Sequence, residues 1–83
     1  MKKAKGIDIN PNIMFGKPVI AGTRIPVEII LEKLADGIPT EEVLQDYPRL
    51  TKTDIREALL FANRLVKRSS SMNDYTTFHK VSR

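Results

Sequence analysis

Two prolines decide what this chain can fold into. Pro26 disfavours helix at Ile25 before it, while its own φ, locked at about −65°, suits the first position of a helix after it. Pro48 restricts Tyr47 in the same way, so a helix approaching it must stop near Asp46. The chain is thereby cut into a non-helical start, a helix after Pro26, a second helix ending before Pro48, and a remainder.

Hydrophobic spacing fills in these pieces. Val27, Ile30, Leu31 and Leu34 recur at i, i+3, i+4 and i+7, and Gly37 offers a left-handed cap, which predicts a first helix over 26–36. Thr40 is the expected N-cap of a short second helix, with Glu41 and Glu42 in its first turn and Val43, Leu44 and Tyr47 turned inward. Thr51-Lys52-Thr53-Asp54 has the form of a capping box and starts a longer third helix reaching about Arg68. The last two helices are joined by Tyr47-Pro48-Arg49-Leu50, so together they predict a helix-turn-helix. Before Pro26, Ile7-Asp8-Ile9 alternates with period two, and Val19-Ile20 and Arg24-Ile25 flank the turn Ala21-Gly22-Thr23.

The expectation is a mainly α fold with a basic, flexible N-terminus over 1–6 and a short β-hairpin arm over 7–25. A three-helix domain follows over 26–68, then a flexible tail over 69–83. Eighty-three residues bury only one modest core, so a second copy is expected to complete it. The arm, with Ile7, Ile9, Val19, Ile20 and Ile25, is the expected dimerisation surface, pairing its strand edges with those of the other copy.

Composition narrows the function. With no cysteine and a single histidine, His79, the chain lacks disulfides, the usual zinc ligand sets and any Cys-His nucleophile pair, so no enzyme, metal or cofactor is expected. No apolar run approaches the ~18 residues of a membrane span, and no hydrophobic signal segment follows the basic start, so a cytoplasmic location is expected. The Gly16-Lys17 and Gly22-Thr23 pairs do not make a phosphate loop, because Pro18 removes a backbone donor where such a loop needs one.

Charge is segregated along the chain. The overall +4 divides into a basic stretch over 1–24, an acidic one over 25–48, where six carboxylates face Lys33 alone, and a basic one over 49–68. This pattern fits a protein whose two basic parts face phosphates. At ~100° per residue the third helix places Ile55, Ala58, Leu59, Phe61, Ala62, Leu65 and Val66 within an arc of roughly 160°, the expected core face. Opposite it, Lys52, Arg56, Asn63 and Lys67 fall within about 60° of one another. Arginine and lysine neutralise phosphate or reach guanine edges, and asparagine reads adenine, so this stripe suits a major groove. The expected DNA contacts are Lys52, Thr53, Arg56, Asn63 and Lys67, with Thr51 beside them and Arg49 on phosphate. Arg24 is open between phosphate and a carboxylate of the first helix.

The run from Ile9 through Gly16-Lys17-Pro18-Val19-Ile20 and Gly22-Thr23-Arg24-Ile25-Pro26-Val27 is followed by Leu34-Ala35-Asp36-Gly37-Ile38, Tyr47-Pro48-Arg49-Leu50 and Asp54-Ile55-Arg56-Glu57-Ala58-Leu59. Together these resemble the prokaryotic domain-of-unknown-function family 433 across residues 7 to 66, with Phe15 where the family usually has cysteine or another small residue. The resemblance implies a homeodomain-like helix-turn-helix and a VapB-type antitoxin. Such a protein dimerises, binds double-stranded DNA at its own operator and neutralises a PIN-like nuclease toxin with a C-terminal segment. Tyr75, Phe78 and Val81 recur every three residues in the tail and are the expected anchors on such a partner. The alternative is a dimeric protein-interaction module that binds no DNA and whose charged stripe is ordinary solvated surface.

Overall fold

A computed structural model describes residues 6–70, so the basic start and the tail anchors Tyr75, Phe78 and Val81 lie outside the described residues. Strand β1, Ile7–Asp8, pairs antiparallel with β2, Val19–Ile20, in the register Ile7 to Ile20 and Asp8 to Val19. Three helices follow: α1, Val27–Ala35; α2, Thr40–Asp46; and α3, Lys52–Ser70. The fold is mainly α with a short N-terminal β-hairpin.

The loop between the strands contains one 3₁₀ turn, Met14–Gly16, in which Met14, Phe15 and Gly16 all have positive φ. Asn10 starts this loop: its side-chain oxygen accepts from the Asn12 N–H at 2.8 Å, a local bond that favours a turn over continued strand.

β2 is flanked on both sides. Ala21 N–H donates to the Gly6 carbonyl on the β1 side, and Ile20 N–H donates to the Ile25 carbonyl on the other, where Val19 also bridges Pro26. Thr23 holds the intervening turn: its hydroxyl donates to the Ile20 carbonyl at 2.7 Å and accepts from the Ile25 N–H at 3.0 Å. This pairing explains a departure from the expected start of the first helix. Pro26 has φ −68 and ψ 142, an extended conformation, so it sits at the cap while Val27 is the first helical residue.

Gly37, at φ +84, ends α1 as its position predicts. Ile38 N–H donates to the Lys33 carbonyl and Gly37 N–H to the Leu34 carbonyl, the paired bonds of a Schellman cap that satisfy otherwise orphaned carbonyls. Thr40 corrects the expected N-cap of the second helix. It is the first helical residue, and Pro39 occupies the cap with no side-chain bond, its carbonyl accepting from Glu42 and Val43. The end of α2 at Asp46 agrees with the stop set by Pro48.

The core joins Ile20, Val27, Ile30, Val43, Leu50, Ile55 and Ala58, with Ile7, Ile25, Leu31, Leu34, Ile38, Leu44, Tyr47 and Phe61 packed around it. Every helix and β2 contribute to it, so the hairpin is part of the helical domain's interior and not an appended arm. Val19 and Ile20 are fully buried there. Of the five residues expected at a dimerisation surface, Val19 and Ile20 are buried, Ile7 and Ile25 half-buried and Ile9 59% exposed, and among the described residues β2 is bonded on both sides while β1 pairs with β2 alone.

Candidate functional site

The helix-turn-helix is formed by α2, the turn at Tyr47–Leu50 and α3. Leu50 fixes the turn by burying its side chain in the core while its N–H donates to the Tyr47 carbonyl at 2.8 Å. Lys33 of α1 places its Nζ 5.9 Å from the Tyr47 ring centroid, at the outer limit of a cation–π contact. The capping box at the head of α3 forms as its spacing predicts. Thr51 N–H donates to Asp54 Oδ2 at 3.0 Å, and Asp54 N–H donates to Thr51 Oγ1 at 3.2 Å.

This start sets the rotation of α3. Ile55 and Ala58 turn into the core, and Lys52, Arg56, Asn63 and Lys67 are exposed along one side of the helix. Lys52 and Arg56 share a shallow groove with Thr40, Glu41, Ile55 and Leu59, so one carboxylate from α2 stands opposite two cations of α3. Asn63 and Lys67 lie farther along the same side. Thr53 is exposed but sits roughly 100° around the helix from Lys52, away from the stripe's centre. Thr51 is exposed, with its hydroxyl committed to the cap.

Arg49, expected on phosphate, is exposed and also makes a tie within the fold. Its Nη2 donates to the Gly22 carbonyl at 2.9 Å, latching the turn of the helix-turn-helix to the turn after β2. Arg24 stands in the same cleft, of about 420 Å³, with Asp8, Ile13, Gly22, Thr23 and Ile25. The tie to a carboxylate of α1, considered above for Arg24, is made instead by Lys17, whose Nζ lies 2.7 Å from Glu28 Oε2. Two arginines therefore line one cleft, together with Asp8.

Leu59, Leu65 and Val66, expected in the core, are about half exposed. A helix rises 1.5 Å per residue, so the 19 residues of α3 run ~28 Å while α1 and α2 run only ~14 and ~10 Å. The two short helices cannot cover the long one to its end. Helix lengths, rather than periodicity, carry the signal for this exposed face. Among the described residues no helix is long and apolar enough to cross a membrane.

Comparison with known proteins places this geometry. The chain is 38% identical over 53 residues to the uncharacterized protein y4eO of Sinorhizobium fredii (strain NBRC 101917 / NGR234), a match covering 64% of this chain and 24% of that protein. The chain thus spans about a quarter of the length of that relative. Its fold is similar to the crystal structure of a DUF433 member protein from Anabaena variabilis ATCC 29413, with a TM-score of 0.65 and 26% identity over 95% of this chain and 70% of that one. Residues 7–62 match the family described as protein of unknown function (DUF433), a span that takes in β1, β2, the capped turns, α1, α2 and the buried part of α3. The hairpin and the helix-turn-helix built on it thus form one matched unit, and the chain belongs to the DUF433 family.

Proposed function

We propose that this protein binds double-stranded DNA through α3 and acts as the antitoxin of a toxin-antitoxin pair, repressing its own promoter and neutralising a PIN-like nuclease. The observation that carries the DNA reading is the exposed row Lys52, Arg56, Asn63 and Lys67 on the second helix of a helix-turn-helix whose start is fixed by a capping box. Side chains of these types contact phosphates and base edges when such a helix enters a major groove. Arg49, three residues before α3 begins, and Arg24 in the same cleft add positive potential that would favour a phosphate backbone. The antitoxin role rests on the resemblance described above. No catalytic role is assigned.

Gel-shift titration of the DNA upstream of its own gene, at several salt concentrations, tests the DNA reading. Tight binding at low salt that falls steeply as salt rises is expected. No binding at low salt sinks it. Co-expression with a neighbouring PIN-like nuclease tests the antitoxin role, with restored growth as the expected result. The absence of any nuclease gene beside this one counts against that role.

One observation favours a second reading, a protein-interaction module. Leu59, Leu65 and Val66 present apolar surface on the same helix as the basic stripe. Complexes that persist when Lys52 and Arg56 are both replaced by alanine would support it.

A further inference from the structure

Three large aliphatic side chains on the later turns of α3 stay in water, with Leu59 48% exposed, Leu65 46% and Val66 55%. They are ordered along the helix. At ~100° per residue, Leu59, Ala62 and Val66 fall within about 60° of one another, and their spacings of three and four residues are those of a seam packed lengthwise against another element. Leu65 extends the line of Ala58, which is fully buried where the shorter helices reach it. Leu59 also belongs to the groove between α2 and α3, so groove and seam share a residue.

Charge decides what can lie on this seam. The seam is flanked by the exposed Lys52 and Arg56 on one side and by Arg68 on the other, against the half-buried Glu57, while the helix's other carboxylate, Asp54, is buried in the cap. A second α3 laid along the seam would set basic side chains against basic side chains, at a cost. The same chain carries an opposite surface. Glu32, Asp36, Glu41, Glu42 and Asp46 are exposed on α1, its cap and α2, where Lys33 is the one cation. Half-buried Ile29, Leu31 and Leu44 lie on the same two helices.

We propose that the end of α3 is covered by the acidic α1–α2 face of a second copy of this chain. The contact is made twice about a two-fold axis, each α3 lying on the other copy's α1 and α2. It needs no DNA, so it stands or falls separately from the DNA reading.

Sedimentation of the full chain without DNA, across the micromolar range, tests it first. A dimer that weakens as salt rises is expected. A monomer at every concentration in low salt overturns the proposal. Val66→Asp should weaken the dimer at least about tenfold, with helical circular dichroism unchanged because the side chain is half in water. A folded Val66→Asp chain that dimerises normally overturns it. Charge reversal then identifies the surfaces. Arg56→Glu with Arg68→Glu, on the two rims of the seam, should abolish self-association, as should Glu32→Lys with Glu42→Lys, and mixing the two folded variants should give a heterodimer. If the first variant self-associates as well as the native chain or better, the seam packs on another α3 and the proposal is wrong. If the mixture stays monomeric, it is also wrong.

Discussion

Thr51 and Asp54 satisfy each other's backbone N–H, at 3.0 and 3.2 Å, and so fix where α3 begins and which way each of its side chains points. Thr51→Ala should cost about 1 kcal/mol, the usual value of a helix cap. Asp54→Ala should cost more, about 1–3 kcal/mol, because it leaves the Thr51 N–H unsatisfied at a buried carboxylate's place. Chemical denaturation of both single variants and the double variant checks this, and a fully additive double variant would show that the two bonds act independently.

Arg49 has two separable roles to test. Its hydrogen bond to Gly22 joins the helix turn to the turn after β2, and its charge stands near the head of α3. Arg49→Ala should lower stability by about 1 kcal/mol, a modest value because the bond is exposed. Arg49→Lys keeps the charge but not the planar fork, so it should lose most of that stability while leaving the salt dependence of DNA binding nearly unchanged. Thermal melts and salt-dependent titrations separate the two.

Phe15 is held at φ 58 and ψ 32 while the residue is 95% exposed, so no buried contact repays its left-handed backbone. That conformation costs a non-glycine residue about 1–2 kcal/mol. Phe15→Gly should therefore raise the melting temperature, the relief being partly offset by a more flexible unfolded chain. An unchanged or lower melting temperature would contradict this.

Gly37 presents the opposite case. At φ +84 it closes the Schellman cap of α1, with open space where a Cβ would stand. Gly37→Ala should destabilise by about 1 kcal/mol through backbone strain alone, since no side-chain clash is available. Denaturation midpoints at unchanged m-value check it.

For the DNA reading, Lys52→Ala and Arg56→Ala should each reduce the slope of log affinity against log salt by about 1 if that side chain meets a phosphate. A loss confined to particular base substitutions would instead assign Arg56 to a base edge. Slopes identical to that of the native chain in both variants would remove the stripe from the interface.

The helices were legible because local rules decide them. Pro48 ends α2, Gly37 ends α1, and the Thr51–Asp54 spacing starts α3, each by a constraint acting over three or four residues. Family membership was legible from the ordered motifs between Ile9 and Leu59. What periodicity does not reveal is which apolar residues an element can actually cover. Ile20 and Val66 look equally suited to a core or a contact, yet one is fully buried beneath three helices and the other lies beyond their reach. The ties made by Arg49 and Lys17 were missed for a related reason: their partners, Gly22 and Glu28, are 27 and 11 residues away, distances over which no local pattern speaks.

Ile20 sets the smallest piece of this protein that can be moved elsewhere. A fragment starting at Pro26 would keep every helix and both helix caps, yet it would lose a fully buried isoleucine from the middle of its packing, together with Ile7, Ile25 and the carbonyl that Arg49 grips. Anyone grafting this helix-turn-helix onto another scaffold must carry the hairpin with it, since the transplantable module begins at the first strand.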